Sequence, residues 1–296
     1  MPRSTIPYHE TGYYSKLITD YLSEVEALQP FYQRFPKIPN FSAQLSEKKK
    51  QFSDASRVAL VEQLNKQYAN SEVSEATQKN IDALANENTF TITTGHQLNL
   101  FTGPLYFLYK IFSVINLAET LNKSNTSSYM VPVFWMATED HDFEEINYFN
   151  FKGKKIQWNR QSSGAVGMLE TAGLEEVFQV IEAQFGKSEN AKHLLSIFKQ
   201  GYLEHTSLAE ATRFIANTLF SDYGLVIIDG NDKELKKQFI PFAEKEINQQ
   251  LSFNAITETT VRLNKLGYPE QVHPREINFL LPKQILVLPK TKFSTN

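Results

Sequence analysis

Two short runs of β-branched, aromatic and aliphatic residues, 89–94 (TFTITT) and 131–138 (VPVFWMAT), flank a long apolar segment, and this arrangement restricts the chain more than any other feature. Each run has the length and composition of a buried strand. Between them, about residues 104–122 carry Leu105, Leu108, Phe112 and Ile115 on one side of a helix and Phe107, Ile111 and Val114 on another. A helix apolar on more than one side belongs inside a larger structure. Gly103-Pro104 is expected to start it, because proline in the first helical turn forfeits no hydrogen bond. Strand, loop, helix, loop, strand is a βαβ unit, and apolarity that runs on rather than alternates implies parallel strands covered on both faces. A third such run, 225–229 (LVIID), joins the same sheet. The expected fold class is α/β with a Rossmann-like parallel core, whose ligands bind beyond the carboxyl ends of the strands.

The rest of the chain is segmented around that core. Residues 1–88 read as a helical region: Leu17, Tyr21, Val25 and Leu28 recur at helical spacing, as do Val58, Val61, Leu64 and Tyr68. Ser71 or Ser74 can cap a third helix there. Residues 89–145 form the first Rossmann half and 146–212 an inserted connecting segment of short strands and then helices at about 174–185, 190–204 and 207–220. Residues 213–279 form a second, incomplete half, with helices at about 232–248 and 256–266 and a strand near 271–279; 280–296 is an atypical, proline-broken tail.

Two segments fall at the carboxyl edge of the sheet. In Thr94-Gly95-His96-Gln97, glycine permits close backbone approach and the following helix start offers unpaired amides, so a phosphate or carboxylate cradle is expected there, Gly103 included. His96 is a candidate donor to a transferring phosphoryl group. The competing reading is a tight turn whose histidine only caps. In Glu139-Asp140-His141-Asp142, Asp140 and Asp142 are expected to hold an amine, sugar hydroxyls or Mg²⁺, with His141 as general base; a solvated acidic loop is the bland alternative. Asp229 shares the edge, as does Asp232, for which helix capping is favoured. Arg275 could clamp a carboxylate. Lys110 could reach a phosphate or pair with a carboxylate.

Composition excludes several classes of function. Thirty basic against 33 acidic residues, net −3, leave no electrostatic footprint for a nucleic acid. The absence of cysteine removes disulfides, thiolate metal sites and thiol nucleophiles. No stretch has the roughly 20 apolar residues of a membrane span, and the first residues lack the order of a signal peptide, so the cytoplasm is the expected compartment.

The blocks TTGHQLNLFTGPLYFLYKIFSVINLA and VPVFWMATEDHDFEEIN resemble the cysteine ligases of bacillithiol biosynthesis, and LVIIDGNDKELK and GYPEQVHPREIN match later segments of that family. The resemblance covers most of residues 1–279. It implies a Rossmann core with inserted segments, distantly similar to class I aminoacyl-tRNA synthetases and the cysteine ligase of mycothiol synthesis. It further implies joining of the cysteine carboxyl to the amine of glucosaminyl malate, with activation by ATP or another adenine nucleotide, an open question over a metal, and a homodimer for full-length members. Thr94, Gly95 and His96 then become the nucleotide-side turn, Asp140, His141 and Asp142 the substrate-side loop, and Asp229 a secondary contact. Family members are far longer, so a chain shortened at its C-terminus is expected, with a silent nucleotide- or metabolite-binding module as the alternative to an active ligase.

Overall fold

A computed structural model describes residues 4–124 and 127–276. The helices before the sheet are α1 (Lys16–Leu22), α2 (Phe41–Lys49), α3 (Asp54–Tyr68) and α4 (Glu75–Ala83). The βαβ unit follows as β1 (Thr89–His96), α5 (Tyr106–Ser124) and β2 (Tyr129–Met136). Next come α6 (Phe143–Ile146), the strands β3 (Tyr148–Phe151) and β4 (Lys154–Gln157), and α7 (Leu174–Glu182), α8 (Glu189–Glu204) and α9 (Leu208–Phe220). The remaining elements are β5 (Val226–Asp229), α10 (Lys233–Lys237), α11 (Ile240–Gln249) and α12 (Leu251–Lys265).

The chain divides into two compact units, one of residues 48–238 and the other of the residues up to 47 with those from 239 onward. Residues 48–88, at the end of the N-terminal helical region read from sequence, thus share a unit with the sheet.

The larger unit is built on a parallel sheet of order β1-β2-β5, with Thr94 opposite Phe134, His96 opposite Met136 and Met136 opposite Asp229. This is the expected α/β, Rossmann-like arrangement. Beside α5, Phe107 packs edge-on against Phe134 of β2, their ring centroids 5.4 Å apart. Helices α3 and α4 also pack on the sheet: Tyr129 Oη donates to Asn80 Oδ1, and the Ile227 amide donates to Tyr68 Oη. Ser74 caps α4 by accepting from the Thr77 amide, and Ser207 with Glu210 forms a full capping box on α9. Lys152 and Gly153, both at positive φ, make the two-residue turn that joins β3 to β4 with a twist matching the strands.

Several local expectations are corrected. Helix α5 starts at Tyr106, so Pro104 lies before it and belongs to the loop. Strand β1 is not covered on both faces: Thr91, Thr93 and Gly95 are exposed, whereas β2 and β5 are almost wholly buried. In α3 the buried stripe takes in Arg57 rather than Val58, which is 66% exposed. Arg57 earns its place by donating to the carbonyls of Leu84, Glu87 and Thr89, which ties the end of α4 to the start of β1. The helix expected over 232–248 is broken into α10 and α11, and residues 271–276 form no strand; 277–279 and the tail 280–296 lie outside the described residues.

The smaller unit has its own modest core of Leu28, Leu263 and Tyr268, against which Leu17, Tyr21, Phe31 and Tyr32 pack. Tyr268 Oη donates to Asp20 Oδ2 at 2.7 Å, and Arg262 lies over the Phe31 ring.

Candidate functional site

Parallel pairing brings the carboxyl ends of β1, β2 and β5 to one edge, and three loops leave from it. The first, after β1, spans residues 97–105. Gly95 is the last exposed position of the strand, and Lys110, one turn into α5, reaches back to donate to its carbonyl at 2.6 Å. His96 is buried, 7% exposed, between Tyr106 and Phe107, whose ring centroids lie 5.1 and 5.2 Å away. Its Nδ1 lies 2.9 Å from the Gln97 carbonyl. A carbonyl only accepts, so this contact assigns the proton to Nδ1 and leaves Nε2 as a lone-pair acceptor. Nε2 and Asn99 Oδ1 are both buried and neither makes a well-formed hydrogen bond, but the Asn99 side chain is near enough to favour a protonated ring. Burial holds the His96 pKa below the usual histidine range, against the pull of the Gln97 carbonyl, with the Lys110 ammonium adding to the depression. The resting ring is therefore neutral, and it becomes a donor through Nε2 only on taking up a proton.

Gly95, His96, Gln97, Tyr106, Lys110 and Ala137 enclose a small open cavity of about 290 Å³ at this end of β1. Thr94 is half-buried one position earlier in the strand. Gly103 does not line this cavity. It sits in a neighbouring one, with a would-be Cβ 3.2 Å from that of Phe149.

The second loop, after β2, carries the acidic run. Asp140 Oδ1 accepts from the backbone amides of His141 and Asp142 and its Oδ2 from Gln97 Nε2 at 2.8 Å. Burial pushes the Asp140 pKa up, but the Gln97 amide and the two backbone donors outweigh it and hold the carboxyl below its ordinary value. The same Gln97 nitrogen donates to Glu145 Oε2 at 2.7 Å. His141 and Asp142 are exposed; the His141 ring lies 3.8 Å from Asp140 Oδ1 and lines neither cavity. The inserted segment pins this loop, for Val166 donates to the Asp140 carbonyl and Gly167 to that of Thr138.

The third loop, after β5, is held to the second. Thr138 Oγ1 donates to Asp229 Oδ1 and accepts from the Asn231 amide. Gln67 of α3 accepts from the Asp229 amide and from buried Arg213, and donates to Asp232. Asp232 caps α10, as favoured from sequence. Gly230 leaves room for two side chains: a Cβ there would lie 2.2 Å from Glu139 Oε2 and 2.6 Å from Trp135 Nε1, so both would have to move.

The structure thus brings Gly95, His96, Gln97, Asp140 and Asp229 to one edge and leaves the His141 and Asp142 side chains in solvent. Arg275 is exposed and belongs to the smaller unit. Among the described residues no group of three or more His, Asp or Glu is arranged to hold a metal, and no helix is long and apolar enough to cross a membrane. Sequence reasoning missed Glu145, Thr138 and Gln67, and with them a cavity of about 840 Å³ beside the first loop, with seven phenylalanines in its wall.

Comparison with known proteins gives these residues a context. Residues 1–286 match the family model for the N-terminal Rossmann-like domain of bacillithiol biosynthesis BshC. The match runs past residue 279, where the resemblance in sequence ends. A protein of Flavobacterium johnsoniae named "Putative cysteine ligase BshC" is 55% identical over 278 residues, 94% of this chain and 52% of its own length. One of the same name from Christiangramia forsetii is 54% identical over 290 residues, covering 96% of this chain and 54% of its own, and one from Bacillus cytotoxicus is 32% identical over 201 residues. The chain spans about half the length of these curated relatives. It belongs to the BshC family, as its N-terminal Rossmann-like domain.

Proposed function

We propose that the chain is the Rossmann half of a carbon–nitrogen ligase that joins the cysteine carboxyl to the amine of glucosaminyl malate, with an adenine nucleotide supplying the activation. The observation that carries this reading is the small cavity at the end of β1, where a lysine ammonium and a buried histidine meet a glycine. Lys110 spends one of its donors on the Gly95 carbonyl, which leaves two to offer. His96 Nε2 adds a third donor once it is protonated, a change that an approaching anion favours. This donor set suits one phosphate or activated carboxylate group. Thr94, Gly95 and Gln97 shape that side, whereas Gly103 lines the adjoining cavity instead.

The nucleotide, when bound, supplies the leaving group. The chain's own residues position the reactants. Asp140, kept ionised by Gln97 and two backbone amides, attracts the amine end of the second substrate. Asp142 and Asp229 extend the acidic edge, and Asp229 is oriented by Thr138. His141, exposed and beside Asp140, is the candidate to take the proton that the amine must lose before it attacks.

Titration calorimetry with ATP tests the nucleotide side. Binding to the chain is expected, weakened at least tenfold in Lys110→Met. Absence of binding, or equal affinity in the variant, overturns the assignment. Mass spectrometry of a reaction with cysteine, glucosaminyl malate and ATP then separates this reading from a second. That second reading is a nucleotide- or metabolite-binding module without turnover. ATP binding without product supports that module.

A further inference from the structure

We propose that the larger cavity binds an uncharged molecule built on fused or linked aromatic rings, a class to which none of the reactants of the proposed ligation belongs. The cavity measures about 840 Å³, within the size range of small-molecule sites, and lies wholly inside the larger unit. Seven phenylalanines and two tyrosines line it, with five leucine or isoleucine residues among them. These rings already pair with one another: Phe151 of β3 stacks on Phe185 just beyond α7, centroids 5.4 Å apart, and Phe112 of α5 meets Phe220 of α9 edge-on at 5.2 Å. Walls of this kind take a further ring by its face or its edge.

Charge excludes the ions. Among the described residues, Glu145 is the one formally charged side chain in the lining, and it is exposed, with Oε2 already accepting from Gln97. It stands with Gln97 and Asn99 at the edge already described. The rest of the wall carries no charge of either sign, and its floor is buried: Phe149, Phe198, Phe220 and Ile181. An ion moved into that interior loses its water and gains no counter-charge. ATP, cysteine and glucosaminyl malate are all ions at neutral pH. An uncharged ring system pays no such penalty.

The backbone supplies an independent observation. Phe101 and Thr102, both in the lining, lie at φ 52° and 57°, the left-handed region that glycine enters without cost and a bulky side chain rarely enters at all. Such strain persists only where the surroundings hold it, and it gathers at ligand sites. Here buried Tyr202 holds it: its hydroxyl accepts from the Phe101 amide at 2.8 Å and its ring lies 4.7 Å from that of Phe101. The result is a Phe101 ring set against Phe149 and Phe198, at 4.9 and 5.1 Å, in the cavity wall. A glycine would relieve the backbone and remove the ring, so the ring is what the strain secures.

Fluorescence titration of the chain with N-phenyl-1-naphthylamine, uncharged at neutral pH, tests the proposal beside 8-anilinonaphthalene-1-sulfonate, the same ring system with a sulfonate added. The uncharged probe is expected to bind at one site per chain, and the sulfonate at least tenfold more weakly. 1-Naphthol should displace the probe, and 1-octanol, of similar hydrophobicity but without a ring, should do so at least threefold less well. Leu108→Trp on α5 and Leu194→Trp on α8 fill the cavity from two different helices, and each should weaken the probe at least tenfold. Thermal denaturation identifies the variants that fold, and Val58→Trp, at an exposed position outside the cavity, should bind as wild type does. The proposal falls if the probe does not bind, if the sulfonate binds as tightly, if 1-octanol competes as well as 1-naphthol, or if either filled variant folds and keeps wild-type affinity. None of these readouts depends on ATP or on turnover, so they leave the ligase reading to its own test.

Discussion

Gly167→Ala tests whether the inserted segment sets the geometry of the site. Gly167 lies directly on the backbone of Thr138: an added Cβ would stand 2.6 Å from Thr138 Cβ, 2.9 Å from Cγ2 and 3.0 Å from Cα. Carbon atoms in contact prefer roughly 3.5–4.0 Å, so the two segments must separate by about 1 Å. These atoms include the backbone Cα and the Cβ fixed to it, and no rotamer change of Thr138 removes them. Overpacking of this kind costs about 1–3 kcal/mol. The φ of Gly167 is one that alanine adopts freely, so the substitution also gains about 0.4–1 kcal/mol by restricting the unfolded chain. The clash wins, with a net loss of about 1–2 kcal/mol and a fall of roughly 2–8 °C in Tm. Thr138 also holds Asp229 and the Asn231 amide, so the displacement passes to the loop after β5. Urea and thermal denaturation measure the first effect, with Gly186→Ala, whose nearest neighbour would be 4.0 Å away, as control. A Gly167→Ala protein as stable as that control would refute the reasoning.

Other outcomes follow from single contacts. Arg57→Met leaves three carbonyls without their donor and should cost roughly 3–5 kcal/mol in urea denaturation; a loss below about 1 kcal/mol would mean that water replaces the guanidinium. Gly201→Ala drives a methyl to 2.6 Å from Ile215 Cγ1 where α8 meets α9, and should cost about 1–3 kcal/mol. Adding Ile215→Ala should cost less than the sum of the two single changes, and strict additivity would deny the contact. Because the folded His96 pKa lies below its ordinary value of 6.5, the unfolded chain takes up this proton first as pH falls. The stability that His96 contributes is complete above about 6.5 and is lost towards its folded pKa, at up to about 1.4 kcal/mol per pH unit. Denaturation of wild type and His96→Asn between pH 7.5 and 5 should give curves that diverge in slope below about 6.5, and parallel curves would show His96 to be protonated as readily folded as unfolded.

The parts of this molecule that could be read in the sequence are those fixed by local pattern. The runs ending at His96, Met136 and Asp229 declare strands by composition, and parallel pairing then has little freedom over where their trailing loops meet. Helix capping by Ser74, Ser207 and Asp232 is equally local. The site's inner wiring is not. Glu145 looks like any exposed helical carboxylate until the fold brings it to Gln97, 48 positions away in sequence. Gln67 and Arg213 reach β5 from two different helices, and no spacing rule connects them. Covering of β1 was misjudged because its threonines suit a strand whether buried or half-exposed. The aromatic cavity did leave a trace. Leu108 and Phe112 of α5, with Leu105 just before it, all line it, so apolarity that implies burial against protein is in part the wall of an opening.

The two cavities share Gln97 and Tyr106 and differ in charge. On one side of Gln97 stands Lys110, an ammonium with donors to spare; on the other stands Glu145, with Asp140 joined to it. Had both signs faced a single chamber, Lys110 and the carboxylates would neutralise one another and hold neither an anion nor a cation well. Gln97 keeps them apart: its backbone carbonyl orients His96 and its side-chain nitrogen occupies the two carboxylates. The residue can serve both sides because β1 ends one position before it, so that its backbone still follows the strand while its side chain reaches the loop of the next. The ligation proposed above, which couples an activated, negatively charged acyl group to an amine, would need these opposite requirements met side by side. A glutamine between the two compartments meets them without letting the charges cancel.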